Sequence, residues 1–117
     1  MIGFRPAEHV RKRADFELIY KTGNKRSGRL MTMFTRERQE AGVARLGIAA
    51  TRKMGGAVER NRAKRRVREV FRHHKPAGAV DVVVVPRREL IEAPYERVEA
   101  EFLLLLSKSR KTVSANA

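Results

Sequence analysis

The sequence predicts one compact domain of mixed helices and strands, organised around a strongly basic amphipathic helix at residues 57–74. Three observations predict it. Residues 29–35 and 44–51 alternate in the manner of half-buried strands. The basic helix follows them, and an unbroken run of four valines, Val82 to Val85, comes next. Strand, helix and strand in that order make a βαβ crossover. Last, Tyr95, Val98, Phe102, Leu105 and Leu106 recur at helical spacing, marking a neutral helix that covers a core. At 117 residues there is room for a single domain. A basic N-terminal arm is expected over about residues 1–12 and a flexible tail over about residues 109–117.

Taken in order, residues 13–21 carry Phe16, Ile19 and Tyr20 at i, i+3 and i+4, one face of a short helix. Gly23 is placed to stop it as a C-terminal cap. Residues 24–28 read as a polar, basic loop. The strand at 29–35 has Leu30, Thr32 and Phe34 on one face and Met31 and Met33 on the other. Both faces are partly apolar, so each should meet something. A charged turn follows, ending at Gly42. In the strand at 44–51, Leu46, Ile48 and Ala50 share one face. Arg45, Gly47, Ala49 and Thr51 form the other, whose small side chains leave a shallow floor. The short turn between the two strands predicts an antiparallel hairpin. The glycine pair Gly55-Gly56 opens the basic helix but lacks the spacing and the Lys-Ser/Thr of a nucleotide-binding loop. The valine run suits a strand buried on both faces, ended by Pro86. Residues 87–94 read as a linker and 94–108 as the last helix.

Charge narrows the function. The chain carries 27 basic and 13 acidic residues, net +14. Of these, residues 1–75 hold 21 basic and 7 acidic ones, and the remainder is balanced. So the charge is placed rather than spread, which points to a polyanion, here RNA. Cysteine is absent, which excludes disulfides, thiolate nucleophiles and zinc–thiolate sites. No apolar run approaches the length of a membrane span, and no signal peptide is visible, so a cytoplasmic location is expected. His9, His73 and His74 are the only histidines. The last two point about 100° apart on a helix and should complement its dipole rather than share a ligand. The acids of the second half, including Glu99 and Glu101, read as solvated surface. No catalytic or metal-binding constellation emerges.

Binding chemistry is better supplied. In helical projection Ala63, Val67, Val70 and Phe71 form a packing stripe. Asn61, Arg65, Arg68 and Arg72 form a second meridian. Arg62 and Arg66 fall on the far flank, and Arg60 sits at the rim where the helix begins. Guanidinium forks match phosphate oxygens, and an asparagine can both donate and accept. Phe16, Tyr20 and Phe34 could stack on unpaired bases. The same three aromatics fit a core equally well, and the pattern leaves both open.

At residues 56–72 the sequence resembles a known family. Arg60-Asn61-Arg62-Ala63-Lys64-Arg65-Arg66-Val67-Arg68 is similar to the signature helix of the protein subunit of bacterial ribonuclease P. Arg13-Ala14-Asp15-Phe16 with Tyr20-Lys21-Thr22-Gly23 resembles that family's first helix, and Gly47 to Lys53 its strand leading to the signature. Two residues depart in type, Arg52 where lysine is common and Tyr20 where phenylalanine is frequent. The resemblance implies an α+β fold like the second domain of ribosomal protein S5. Its order would be α-β-β-β-α-β-α, with a central sheet and a left-handed βαβ crossover. It implies a partner, the catalytic ribonuclease P RNA, one protein per RNA. Together they would remove the 5′ leader of precursor tRNA, with catalysis by the RNA and Mg2+ held mainly by it. By position, Arg60, Asn61, Arg62, Lys64, Arg65, Arg68 and Arg72 would contact the catalytic RNA. Phe16, Tyr20 and Phe34 would line a cleft for the leader, with Arg52 and Lys53 near its phosphates. A different small basic RNA-binding protein, such as a ribosomal protein, is the alternative. An independent protein nuclease is a third.

Overall fold

Consecutive valines have no polar face to turn to water, and they take the centre of the sheet. In the computed structural model, which describes residues 8–115, the elements are α1 (Arg13–Thr22), β1 (Asn24–Ser27), β2 (Met31–Glu37), β3 (Arg45–Ile48), a 3-10 turn (Arg52–Met54), α2 (Ala57–His73), β4 (Val80–Pro86), α3 (Glu89–Glu92) and α4 (Tyr95–Ala115). One sheet orders its strands β1-β2-β4-β3. β4 pairs antiparallel with β2 and parallel with β3, so β3, α2 and β4 form the βαβ unit. Val80, Val82, Val83 and Val84 are fully buried. Each such burial contributes about 1.5–3 kcal/mol. The fold is α+β, as expected.

The two faces of the sheet carry cores of unequal size. Met31, Met33, Leu46, Val82 and Val84 pack against Val67 and Phe71 of α2 and Phe102 of α4 in the larger core. On the opposite face Val83 meets Ile19 of α1 and Val10, with Phe16 and Phe34 packed beside them. The alternation expected in β2 is thus present, and both its faces are occupied.

Several boundaries depart from the sequence reading. Residues 24–27 are not loop but β1, paired antiparallel with β2 from Asn24↔Thr35 to Ser27↔Thr32. An edge strand needs no apolar face, and lysine on an edge discourages further pairing, so its composition imitates a loop. The expected hairpin of β2 with β3 does not form, because β4 lies between them. The more apolar strand takes the position buried on both sides. The linker at 87–94 contains α3, whose Leu90 is fully buried. The last helix extends past residue 108, since α4 runs to Ala115 and Ser109 is buried within it. In the N-terminal arm, residues 1–7 lie outside the described residues. His9 bridges Leu46 in parallel at the outer edge of β3. Gly23 does end α1, but with extended backbone (φ −81°) rather than a left-handed cap. It is glycine for lack of room: a Cβ there would lie 2.6 Å from the Ile19 carbonyl oxygen and 2.7 Å from that of Thr35.

Two acids carry structural duties. Glu101 of α4 is not solvated surface. Its carboxylate accepts from the backbone N–H groups of Arg29, Leu30 and Met31 at 2.8, 2.8 and 2.9 Å, fixing the β1–β2 turn. A Cβ on Gly28 would meet that carboxylate at 2.4 Å, so the turn must pass as glycine. Glu99 likewise is paired, with His74 Nε2 at 2.7 Å. That ties the end of α2 to α4, and His74 caps the helix rather than standing in its last turn. A Glu101→Ala variant is expected to lose roughly 1–3 kcal/mol in chemical denaturation, since three donors are left without a charged acceptor. Amide exchange at residues 29–31 should accelerate with it; unchanged exchange would contradict the anchoring role.

Asp81 in β4 is buried, its side chain only 1% exposed. It accepts from Arg45 Nε at 2.7 Å and Nη2 at 2.9 Å, and from Arg38 Nη1. The Arg38 side chain is itself only 7% exposed and also donates to the Val43 carbonyl. One carboxylate thus neutralises two arginines beneath the β2–β3 loop. The Asp81 hydrogen bond is the first cause holding the Arg45 pKa above its ordinary value.

Candidate nucleic-acid interface

α2 begins where Gly55 adopts φ +143°, a conformation that side chains disfavour. Gly56 caps the helix, and its N–H is accepted by Glu59 Oε1 at 2.9 Å. Ala63, Val67, Val70 and Phe71 are then buried, as the projection predicts. That packing fixes the rotation of the helix and so decides which cations face outward. Asn61, Arg62, Arg65, Arg68 and Arg72 are exposed. Arg62, Arg65, Arg68 and Arg72 line one open groove of about 630 Å3, to which Glu69 and Ile91 also contribute. Arg60 is half-buried, reaching the Gly55 carbonyl at 3.5 Å, in keeping with a rim position. Arg66 plays a supporting part. Its Nη1 donates to the carbonyls of Leu90 and Ile91 at 3.0 and 2.7 Å. It holds α3 against α2 and so builds one wall of the groove.

The second surface lies on the other face of the sheet. Phe16, Tyr20 and Phe34 are brought together there. Tyr20 meets Phe34 edge-on with centroids 4.8 Å apart, and Phe16 stands 6.2 Å from Tyr20. Phe16 and Phe34 are half-buried against the smaller core, whereas Tyr20 is 39% exposed. Core and rim are therefore both correct descriptions of this cluster. The shallow floor of β3 is filled by Phe16: a Cβ on Gly47 would lie 2.8 Å from its ring. Burial pushes the Tyr20 phenol pKa up, so the ring stays neutral.

Lys53 lines a neighbouring cavity of about 240 Å3 with Thr32, Val85, Arg87 and Arg88. Thr32 lies two residues along β2 from Phe34, on the same face, so one wall of this cavity is on the side of the sheet that carries the aromatics. Arg52 is exposed on the same 3-10 turn but does not line the cavity. Three cations escaped the sequence reading. Lys25 Nζ lies 5.9 Å from the Phe34 ring. Arg87 donates to Thr32 Oγ1 at 3.4 Å and to the Gly28 carbonyl at 3.2 Å. Arg88 is the third. The sequence pattern puts Lys25 in a loop and Arg87 and Arg88 in a linker, and only the strand pairing of β1 and β4 places them.

Among the described residues no three His, Cys, Asp or Glu side chains are grouped to hold a metal ion. No described helix is long and apolar enough to cross a membrane.

Fold and surfaces together define a small basic α+β domain suited to a polyanion, with a cationic helix on one side of its sheet and an aromatic cluster on the other. Comparison with known proteins supplies the family. The Ribonuclease P family profile matches residues 4–110. The ribonuclease P protein component of Staphylococcus aureus strain N315 is 40% identical over 83 residues, 70% of this chain and 72% of that protein. The ribonuclease P protein from Thermotoga maritima superposes with a TM-score of 0.76 at 36% identity, covering 86% of this chain and 96% of the other. A Staphylococcus aureus ribonuclease P protein mutant with defective mRNA degradation activity superposes with a TM-score of 0.79 at 32% identity, covering 89% of both chains. The chain belongs to the bacterial ribonuclease P protein family. Its role is therefore in ribonuclease P, a tRNA-processing ribonuclease.

Proposed function

We propose that this protein is the RNA-binding subunit of ribonuclease P in the cytoplasm, where it assists a catalytic RNA in removing the 5′ leader of precursor tRNA. Arg60, Asn61, Arg62, Lys64, Arg65, Arg68 and Arg72 contact the catalytic RNA. Phe16, Tyr20 and Phe34 take unpaired leader bases, while Arg52 and Lys53 meet leader phosphates. One observation carries the proposal: the cationic groove on α2 and the aromatic cluster of Phe16, Tyr20 and Phe34 lie on opposite faces of one sheet, so a single small domain can hold two RNA segments. Arginine and lysine repel divalent cations, whereas magnesium prefers oxygen ligands and keeps several waters. On this reading Mg2+ is held mainly by RNA phosphates, and the protein lowers the magnesium needed by neutralising charge.

The leader assignment is testable with paired substrates. Tyr20→Ala and Phe34→Ala should each weaken holoenzyme binding of leader-bearing precursor by about 1–3 kcal/mol, the range for one stacked base. Binding of mature tRNA should not change. Equal losses for both substrates would favour a general RNA-binding protein, such as a ribosomal protein. Thermal melting separates either outcome from unfolding, and the exposed Tyr20 is the cleaner of the two.

The mRNA degradation named for the Staphylococcus aureus relative favours a second reading, cleavage by the protein alone. RNA-free protein incubated with mRNA decides it. We expect no cleavage: the His74–Glu99 pair is engaged in tying α2 to α4, and among the described residues no three His, Asp or Glu side chains are grouped to hold a metal ion.

A further inference from the structure

Residues 8–10 are tied to the outer edge of β3. The Val10 amide donates to the Leu46 carbonyl at 2.9 Å. Val10 itself turns into the smaller core, near Ile19 and Val83. This attachment sets His9 beside α2, where it closes a recess of about 130 Å3 with Phe16, Gly47, Lys64 and Arg68. Phe16 belongs to the aromatic cluster, and Lys64 and Arg68 to the cationic face of α2. The recess is thus the place where the two surfaces adjoin.

Its electrostatics are one-sided. Among the described residues, the charged groups near His9 include Glu8 and Arg11 on its own segment and Lys64 and Arg68 on α2. β3 contributes only Leu46, Gly47 and Ile48, and α1 only Phe16. Glu8 is engaged by Lys75 Nζ at 2.8 Å. Desolvation, then Arg11 and Arg68, hold the imidazole below its ordinary pKa, with Glu8 opposing them. An anion in the recess would meet two fixed cations and a third group able to become one.

We propose that this recess binds an RNA phosphodiester, held between Lys64, Arg68 and a protonated His9, at the junction of the two RNA faces. The site rests on the RNA-binding role given above and adds His9 to it. A phosphodiester stays ionised through neutral pH, so the proton taken up on binding goes to His9. Because binding and protonation are reciprocal, affinity must rise as pH falls through the titration of the free imidazole.

Titration calorimetry in buffers of different ionisation enthalpy counts that proton. The protein is titrated into a cognate catalytic RNA between pH 6 and pH 7.5. In a second arm, assembled holoenzyme binds precursor tRNA with and without its leader. Uptake in the first arm assigns the phosphodiester to the catalytic RNA; uptake only with the leader assigns it to the substrate. Wild type should take up as much as one proton, with affinity rising up to about tenfold per pH unit. His9→Gln should bind more weakly and without proton uptake. His9→Lys, permanently charged, should bind tightly with no pH dependence, which also shows that the segment still folds. The proposal is overturned if wild type binds RNA in both arms without proton uptake, or if His9→Gln takes up the same proton. Failure of wild type to bind any RNA would instead remove the functional reading beneath it.

Discussion

An Asp81→Ala variant is expected to lose about 3–5 kcal/mol of folding stability, the range for removing one partner of a buried ion pair. Two arginines lose their buried counter-charge at once, leaving Arg38 with the exposed Glu40 at 3.5 Å and Arg45 with Asp15 at 3.8 Å. Arg38 cannot retreat to solvent, because its side chain is nearly buried and its other donor is held by the Val43 carbonyl. The expected readout is a melting temperature lower by more than about 10 °C for a domain of this size. The loss should arise on the sheet: β4 would keep its valines but not the charge that locks the β2–β3 loop over Arg45. A loss below about 1 kcal/mol would show that water reaches the two arginines and that the pair is ordinary surface chemistry.

The second large effect is on binding. Arg65→Ala with Arg68→Ala should weaken association with the catalytic RNA by about 1–3 kcal/mol, roughly 5- to 150-fold. The slope of log affinity against log salt should flatten by about 0.7–0.9 for each phosphate no longer neutralised. Both side chains are exposed and line the groove without supporting the fold, so melting should stay near wild type. Arg66→Ala is the informative contrast. It removes equal charge, but from a side chain that holds the Leu90 and Ile91 carbonyls. It should lower stability more than it alters the salt slope. If Arg65 and Arg66 gave the same salt dependence, the division of α2 into binding and supporting arginines would fail.

That division was partly legible in the sequence. Helical periodicity identified the packing stripe of α2, and once Ala63, Val67, Val70 and Phe71 face the sheet, the outward meridian follows. Periodicity could not separate Arg62 from Arg66, which share a flank, because α3 was hidden inside an apparent linker. The aromatic cluster was legible only as residues on two separate elements. Its character as both core and rim depends on Phe16 lying on Gly47, an approach between segments far apart in the chain. β1 was missed because an edge strand is stabilised by backbone pairing rather than by apolar side chains. The hairpin was misjudged because nearness in sequence favoured β3 as the partner of β2, whereas burial favoured β4. Glu101 reads as solvated surface, and Asp81 shows in the sequence only as a polar break in an apolar run. Their partners lie about seventy and forty residues away, and such distances leave no trace in local pattern.

The most direct test of the central claim is reconstitution. The purified protein is added to a cognate ribonuclease P RNA at a magnesium concentration too low for the RNA alone, and removal of the 5′ leader from precursor tRNA is followed. We predict that the protein restores cleavage at the mature 5′ end and that the Arg65→Ala, Arg68→Ala pair needs a higher protein concentration to do so. No restoration with cognate RNA at any protein concentration would contradict the proposed function.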